Sequence, residues 1–231
     1  MARLGVLHHL DKAFLGNAAE PLRSLELDER DLKRGDPLPS LDEVDALLSL
    51  GGDQSVRDIE RYDYLQAEVE FLRAAVERGV PVLGVCLGGQ LLAHALGGTV
   101  ERMQIRMVEW AEVSRLPSAE RDPLFGGLPE KVRALHWNED MFSIPDGAVE
   151  MLSRAGPGGE AFRFGQSAWG IQFHPEADAP ALDGWYADVE WLAEAGVEEK
   201  AAREADQVHL PGQRATAERI FGGFARYVAG R

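Results

Sequence analysis

The single cysteine of the chain stands where a nucleophile would be expected. Cys86 follows a short apolar run, Val80–Val85, and precedes small and apolar residues that begin at Leu87. Gly84 and Gly88 permit the tight strand-to-helix turn that raises a nucleophile above a sheet. The first N–H groups of the following helix favour a thiolate, and the N–H of Leu87 would point toward a developing acyl oxyanion. The alternative interpretation is that Cys86 is a small, buried core residue.

A histidine and a glutamate further along the chain could act as the base for this thiol and as the group that orients the base. His174 ends the apolar run Ala168–Phe173 and is followed by Pro175 and Glu176. Because proline ends the strand, His174 is expected at the carboxyl edge of the sheet, where ligands bind in open α/β folds. A neutral imidazole there could take the proton of Cys86 and return it to a leaving amine. Glu176 could orient the imidazole and stabilise its charged form.

The elements that must position these residues alternate between strands and helices in the first half of the chain. The sequence predicts strands over residues 2–7, 45–50 and 80–85, and helices over residues 55–78 and 88–96. Residues 21–44 are polar and contain a Gly-Asp-Pro-Leu-Pro break, so they are predicted to be an extended connection with little regular structure. This alternation indicates right-handed βαβ units in an α/β fold with a mostly parallel central sheet flanked by helices.

The second half is predicted to be richer in strands and to end in helices. The predicted strands cover residues 109–116, 131–136, 149–153, 161–164 and 168–173, and the predicted helices cover 181–193, 196–205 and 214–228. No linker-like tract interrupts the pattern. A single domain over residues 1–231 is therefore expected, with a core of about residues 1–180 and C-terminal helices over about residues 181–231.

Composition excludes several classes of function. The chain has 231 residues, a formal net charge of −15 and no block of basic residues, so no nucleic-acid partner is expected. No run approaches the roughly 20 apolar residues of a membrane helix, and no membrane partner is expected. The lone cysteine excludes intramolecular disulfides and Cys-rich zinc sites, which favours a cytoplasmic location. Phosphate-binding loops and metal-ligand spacings are missing from the sequence, so neither a metal nor an organic cofactor is expected.

The two motifs together resemble those of the class I glutamine amidotransferase superfamily. Its signatures Gly-x-Cys-x-Gly-x-Gln and Phe-His-Pro-Glu stand here as Gly84–Gln90 and Phe173–Glu176. The likeness extends to Leu50-Gly51-Gly52, to the run from Leu91 to Gly98, and to Leu135-His136-Trp137 before Asp140. The likeness covers about residues 1–180, and the chain is most similar to free-standing, GMP-synthase-like amidotransferase domains. This resemblance implies a flavodoxin-like form of the α/β fold.

The resemblance implies a role for each matching residue. Cys86 would be the nucleophile, His174 the base and Glu176 the orienting carboxylate of a Cys-His-Glu triad. The backbone N–H groups of Gly52 and Leu87 would form the oxyanion hole, and Gln90 would line the glutamine pocket. The reaction implied is cleavage of the γ-amide of glutamine, or of another γ-glutamyl compound, through a cysteine thioester.

Two departures from the family pattern bear on the substrate. Relatives usually carry Gly-Gly-Pro where this chain has Gly51-Gly52-Asp53, which predicts a looser loop and an added carboxylate near the oxyanion. Close relatives read His-Trp-His-Gly-Asp where this chain reads His136-Trp137-Asn138-Glu139-Asp140. If they face the pocket, Glu139 would enlarge and acidify its wall, whereas Asn138 would keep hydrogen-bonding ability but could not carry a charge.

Three hypotheses about function remain open at this stage. The protein could supply ammonia to a separate synthase, which predicts weak activity alone and stimulation by that partner. It could hydrolyse γ-glutamyl conjugates without a partner, which predicts a preference for substituted amides over glutamine. It could also be a non-catalytic binding module that retains the fold, which the complete triad disfavours.

The remaining polar and aromatic candidates are assigned structural roles. His8 and His9 could line the cleft, but they are interpreted as a solvated strand end, and His209 is placed in a Pro-Gly loop. Trp185, Tyr186 and Trp191 are predicted to be core residues or an oligomer contact.

Overall fold

The strands form one mixed sheet in the computed structural model, which describes residues 1–11 and 14–231. Nine strands are found over these residues: β1 Arg3–His9, β2 Glu26–Asp31, β3 Ala46–Gly52, β4 Val82–Val85, β5 Val100–Arg115, β6 Lys131–Phe142, β7 Ala148–Ser153, β8 Ala161–Phe164 and β9 Ala168–Ile171. Their order in the sheet is β2-β1-β3-β4-β9-β8-β7-β5-β6. The helices of the same residues are α1 Ala19–Leu22, α2 Asp63–Glu77, α3 Leu87–Ala95, α4 Ala179–Trp185, α5 Val189–Ala195 and α6 Glu199–Ala229.

The sheet has a parallel half and an antiparallel half. Strands β2, β1, β3, β4 and β9 pair in parallel. All pairings from β9 through β8, β7 and β5 to β6 are antiparallel. The α/β fold is thus confirmed, but a mostly parallel sheet is wrong as a description of the whole. Connections such as residues 154–160 and 165–167 are too short for the crossover helix that a parallel pair needs.

The polar segment 21–44 contains an edge strand that the sequence pattern concealed. Within this segment β2 pairs in parallel with β1, with Arg3 opposite Glu26. Its central carboxylate, Asp28, is buried and accepts hydrogen bonds from Arg3 and Arg30. An edge strand tolerates such charged side chains, so the segment lacks the apolar alternation by which strands are recognised.

Helices cover the two faces of the parallel half. Alternate strand residues such as Leu48 and Trp169 face α6 and pack in one cluster with Phe221 and Phe224. Their neighbours, such as Leu47, belong to the cluster beneath α2 and α3. The predicted helix 55–78 is divided into a short 3₁₀ helix, Val56–Arg61, and α2. Among the residues described, no helix combines the length and apolar character needed to cross a bilayer.

The C-terminal helices are divided differently from the prediction. Helix α6 runs without interruption through Pro211, where two helices were expected. Two buried side chains fix it on either side of the proline. Asp206 accepts hydrogen bonds from the Trp110 indole at 2.8 Å and the Tyr186 hydroxyl at 2.6 Å, and Gln213 donates to the backbone of Ala177 at 2.7 Å. These tertiary contacts offset the local penalty of proline inside a helix.

The region before α6 also departs from the expected pattern. The predicted helix 181–193 is two helices, α4 and α5, because Asp188 caps the second by accepting a hydrogen bond from the Trp191 N–H at 2.9 Å. His209 lies within α6, with its ring 5.4 Å from that of Trp110, and not in a loop.

Candidate active site

Cys86 occupies a sharp turn between β4 and α3. Its backbone has a φ of +50°, and among the described residues it is the one non-glycine residue with a positive φ. Such a conformation costs about 1–3 kcal/mol and persists only where the surroundings enforce it. Here the Cys86 N–H donates to the Ile171 carbonyl of β9 at 2.8 Å, while Leu87 begins the helix. The turn therefore presents the thiol at the carboxyl edge of the parallel strands.

Close backbone contacts explain the glycines of this turn. A Cβ on Gly88 would lie 2.1 Å from the Ser49 carbonyl oxygen, and a Cβ on Gly84 would lie 2.4 Å from the Gly88 carbonyl oxygen. Any side chain at either position would push α3 away from β3 or from its own turn. The motif thus encodes the close approach of helix and sheet that puts Cys86 in place.

Contacts of its backbone and of both ring nitrogens hold His174 beside the thiol, with Nε2 lying 3.3 Å from the Trp137 carbonyl. Its backbone N–H donates to the Leu135 carbonyl at 2.9 Å, and its Nδ1 donates to Glu176 Oε1 at 2.7 Å. A Cβ placed on Gly51 would lie 3.0 Å from the imidazole Cε1 and 3.6 Å from the Cβ of Cys86, so both side chains lie against this glycine. The structure thus brings together the cysteine, histidine and glutamate of the two sequence motifs.

The surroundings of His174 favour its charged form. Burial by itself lowers the pKa of His174, but the charges of Cys86 and Glu176 and their hydrogen bonds to the ring outweigh it. The pKa of His174 is consequently raised well above its ordinary value of 6.5. Glu176 is also buried, so water screens this interaction little.

Gly52 and Leu87 lie next to each other at the mouth of the turn. A Cβ on Gly52 would lie 2.7 Å from the Leu87 Cδ2 and 2.6 Å from the His9 Cβ. The added carboxylate of Asp53 forms an ion pair with Lys33 at 2.7 Å, and its side chain is 52% exposed. Lys33 therefore partly neutralises the charge that Asp53 adds next to Gly52.

Gln90 lies in a narrow cleft that Cys86, Leu87 and Asn138 also line. The Gln90 amide donates to the Asp140 carbonyl at 3.0 Å and to the Gln172 side chain at 3.3 Å. Asn138 donates to the same Asp140 carbonyl at 3.0 Å. Its own Oδ1 is buried and has no hydrogen-bond partner among the described residues.

The prediction that Glu139 acidifies the pocket wall is wrong. This carboxylate lines the cleft but pairs with Arg102 and, at 2.9 Å, with Arg106. Because two guanidinium groups neutralise it, Glu139 does not make the wall negative. The two arginines lie on β5, which pairs with β6, so only the strand pairing reveals this compensation.

A buried ion pair beneath the site was missed by the sequence analysis. His9 and Glu68 are both fully buried, and His9 Nε2 lies 2.7 Å from Glu68 Oε2. His9 Nδ1 lies 3.1 Å from the Leu50 carbonyl, and the Ser49 hydroxyl donates to Glu68 Oε1 at 2.7 Å. Because both ring nitrogens face acceptors, both carry protons and the imidazole is charged. His9 is thus not a solvated strand end, and neither is His8, which is also buried; both line a cavity beside His174.

The sequence does contain a signal for this pair. Glu68 falls at the buried position between Leu65 and Leu72 on the apolar stripe of α2. A carboxylate at such a position needs a buried partner. Burial lowers the pKa of His9, but the charge and hydrogen bond of Glu68, with backbone carbonyls, more than compensate, so the pKa is raised above 6.5.

Replacing this carboxylate should therefore destabilise the fold in a pH-dependent manner. We expect Glu68→Gln to lower the free energy of unfolding by about 3 kcal/mol at pH 6, because it leaves His9 buried without its counter-charge. A raised folded-state pKa contributes stability that is complete below pH 6.5 and is lost as the pH rises through the folded value. The difference between wild type and variant should accordingly shrink toward pH 9, as measured by urea denaturation.

The matched control for this prediction is Glu70→Gln on the exposed face of the same helix. Glu70 is solvent-exposed, so this change should alter stability by less than about 0.5 kcal/mol at either pH. A Glu68→Gln effect equal to the control, or one that grows with pH, would contradict the charged pair.

Aromatic side chains from the C-terminal region line the site. The Trp185 ring lies 4.9 Å from the His174 ring and 5.4 Å from that of Trp137, measured between centroids. Trp191 lines both the cleft beside Cys86 and a larger cavity beside His174. Tyr186 is a core residue, as predicted, but the two tryptophans border the active site. The described residues include no cluster of three or more His, Cys, Asp or Glu side chains arranged to hold a metal.

Comparison with known proteins identifies the family of this chain. The family model for "Glutamine amidotransferase class-I" matches residues 13–186. A glutamine amidotransferase-like protein of Salmonella typhimurium is 29% identical over 149 residues, which are 63% of this chain and 62% of that protein. The glutamine-hydrolysing GMP synthase of Thermomicrobium roseum is 37% identical over 139 residues, 56% of this chain and 26% of that protein. The chain thus matches between about a quarter and three-fifths of the length of these relatives.

Solved structures show the same fold at low sequence identity. A glutamine amidotransferase from Thermotoga maritima superposes with a TM-score of 0.86 at 23% identity, covering 98% of each chain. Another from Methylobacillus flagellatus has a TM-score of 0.83 at 23% identity, covering 97% of this chain and 94% of that one. The fold and both signature motifs agree with the family match. That match shows that the chain belongs to the class I glutamine amidotransferase family.

Proposed function

We propose that the protein hydrolyses the side-chain amide of glutamine, or of another γ-glutamyl compound, through a thioester on Cys86. The observation that carries this proposal is the convergence of the Cys86 turn with the His174–Glu176 hydrogen bond of 2.7 Å at one edge of the sheet. A nucleophile, a base and a residue that orients the base are the parts that thiol-based acyl transfer requires.

The reaction would proceed in two steps. The Cys86 sulfur, whose proton has moved to His174, attacks the γ-carbonyl carbon. As the C–N bond breaks, His174 returns that proton to the departing amine and a γ-glutamyl thioester remains. Water then attacks the thioester while His174 accepts its proton, which releases glutamate and restores the thiol.

Glu176 would keep the imidazole oriented and stabilise its charge throughout this cycle. The N–H groups of Gly52 and Leu87 are the proposed donors to the oxyanion, in keeping with their contact at the turn. The proposed chemistry requires neither a metal nor an organic cofactor. A cytoplasmic location is part of the proposal, because the lone cysteine must remain reduced.

The direct test is product analysis with a panel of γ-glutamyl amides. Purified protein incubated with glutamine, γ-glutamyl ethylamide and larger amides should release glutamate together with ammonia or the free amine. Acid quenching during turnover should trap a γ-glutamyl adduct on Cys86, detected by peptide mass spectrometry. Failure to release glutamate from any member of the panel would contradict the proposal.

A second candidate function is the supply of ammonia to a separate synthase. It is favoured by the likeness to a glutamine-hydrolysing GMP synthase subunit of Methanococcus maripaludis, which is 36% identical over 104 residues, 44% of this chain and 53% of that protein. Weak glutaminase activity alone and strong stimulation by a co-purifying synthase would favour this candidate.

The unpartnered oxygen of Asn138 leads to a prediction about substrate binding. Asn138 lines the cleft beside Cys86 and its Oδ1 is buried, so we propose an N–H group of the bound substrate as the donor to this oxygen. We expect Asn138→Leu to raise KM for glutamine about tenfold with a smaller change in kcat, the size of one buried hydrogen bond. Asn138→Asp retains an acceptor oxygen and should lose less. Equal KM values for wild type and Asn138→Leu would mean that this oxygen does not contact substrate.

A further inference from the structure

A cavity borders His174 and adjoins the Cys86 cleft, with which it shares four lining residues, Gly52, Asp53, Trp137 and Trp191. It has a volume of about 340 Å³ and is lined by His174, Glu176 and Gly51, whereas Cys86 does not line it. The narrow cleft is lined by Cys86 and Gln90 and not by His174. The catalytic pair of the proposed function therefore lies between two spaces.

The proposed mechanism assigns a different part of the substrate to each space. The acyl carbon must reach the sulfur, so the glutamyl portion occupies the cleft of Cys86 and Gln90. The departing nitrogen receives its proton from His174, so the amine leaves on the side of the imidazole. The cavity therefore lies where the amine portion of the substrate would be, an assignment that rests on the proposed function.

The size of the cavity exceeds what ammonia requires. A molecule the size of water or ammonia occupies about 30 Å³ in a liquid. The cavity of about 340 Å³ is within the range of sites that bind organic ligands. A substituent of several heavy atoms on the departing nitrogen would fit there.

The walls of the cavity are aromatic. The half-buried rings of Phe14, Trp137, Trp185 and Trp191 line it. Phe14 meets Trp185 edge-on at 6.0 Å, and Trp137 lies 5.4 Å from Trp185, so the rings form a connected wall. Aromatic side chains bind flat apolar groups by stacking and edge contacts.

Charge at the rim is only partly compensated among the described residues, because one lysine faces three carboxylates. Asp11 and Asp53 both line the cavity, and both form ion pairs with Lys33. The remaining rim carboxylate, Asp188, accepts the hydrogen bond that begins α5. The aromatic wall is thus accompanied by a rim of net negative charge, which suits an amine that becomes an ammonium ion as it leaves.

Part of this wall comes from outside the family match. The match ends at residue 186, whereas Trp191 lies on α5. The Arg106 guanidinium stacks on the Trp191 ring at 4.1 Å and also pairs with Glu194, which fixes the indole in place. A segment beyond the matched region therefore forms part of the wall of this cavity.

We propose that this cavity binds the amine portion of γ-glutamyl amides of arylalkylamines, which are amines that carry an aromatic ring on an alkyl chain. In the acylation step the bond from the γ-carbonyl carbon to the substituted nitrogen breaks as the sulfur–carbon bond forms. His174 supplies one proton to that nitrogen, and the free arylalkylamine leaves. Water then hydrolyses the thioester, so the products are glutamate and the amine.

Binding to an inactive variant tests the cavity independently of turnover. Calorimetric titration of Cys86→Ala with γ-glutamyl benzylamide and γ-glutamyl ethylamide compares an aromatic with a small aliphatic substituent. We expect a Kd for the benzylamide at least about tenfold lower than that for the ethylamide. Equal Kd values, or no binding of either compound, would overturn the proposal.

A variant that fills the cavity locates the binding site. Gly184 lines the cavity on α4, and a Cβ there would meet no atom within 4 Å. Gly184→Leu should therefore occupy the cavity without a backbone clash and remove most of the benzylamide preference. Gly212→Leu on α6 is the matched control, since Gly212 is also helical with open space at its Cβ but lies outside the cavity lining. An unchanged preference in Gly184→Leu would overturn the assignment.

Turnover by the wild-type protein separates this proposal from the proposed function. Release of glutamate from glutamine or the ethylamide, without a benzylamide preference in binding, supports the hydrolase and overturns the aromatic site. Tight, Gly184-dependent binding of the benzylamide without release of glutamate supports the site and overturns the hydrolase.

Discussion

Replacement of Cys86 by alanine is expected to abolish glutamate release, with a loss of at least about 10⁴-fold in kcat. The sulfur is the atom that would form the thioester, and no other cysteine can replace it because the chain contains one. The change is small, and alanine retains the Cβ at the strained turn, so the free energy of unfolding should change by no more than about 1–2 kcal/mol. Turnover and urea denaturation of the same preparation measure the two effects.

Covalent labelling provides the control for this variant. A glutamine-like diazoketone should add one adduct to the wild-type protein at Cys86, and mass spectrometry should find none in Cys86→Ala. Iodoacetamide should alkylate the wild-type thiol faster than it alkylates a model thiol near neutral pH. Residual turnover in Cys86→Ala above one part in about a thousand would contradict a cysteine mechanism.

Replacement of His174 should have the second largest effect. We expect His174→Ala to lower kcat by about 10²–10⁴-fold, because it removes the group that moves protons in both steps. Glu176→Ala should cost less, because it removes the group that orients and charges the imidazole while leaving the base itself. Steady-state kinetics with a common γ-glutamyl substrate gives the order of the two losses.

Two further variants make this order interpretable. Glu176→Gln keeps a hydrogen-bonding side chain but removes the charge that helps to raise the pKa of His174, so its loss should lie between wild type and Glu176→Ala. Glu150→Gln removes a carboxylate remote from the site and should leave kcat unchanged. If wild type and His174→Ala turn over equally fast, the proposed role of the histidine is wrong.

The motifs around Cys86 and His174 could be recognised from sequence because their requirements are largely local. The positive φ at Cys86 and the close approach of Gly84 to Gly88 involve residues within one turn of the chain, whereas the contact of Gly88 with Ser49 joins two distant segments. His174 and Glu176 are also close along the chain, since they are two residues apart and share one hydrogen bond. Short-range geometry of this kind restricts residue types at fixed spacing, so the spacing is informative.

The mixed sheet and the continuous α6 could not be deduced in the same way. Strand direction in the second half depends on which strands pair, and edge strand β2 carries charges that conceal it. Helix α6 continues through Pro211 because Asp206 and Gln213 contact residues far away in the chain. The extent of the domain and its division near residue 180 stay predictions from sequence.

The sequence by itself determined the family, the expected positions of nucleophile, base and orienting carboxylate along the chain, and the strand-to-helix turn that holds Cys86. Only the tertiary structure decided what surrounds them: the His9–Glu68 pair beneath the turn, the arginines that neutralise Glu139 and the aromatic wall beside His174. The physical reason is the separation along the chain of the residues that interact. Backbone conformation follows from neighbouring residues, whereas burial, charge compensation and cavity shape arise from side chains that meet only when the chain has folded.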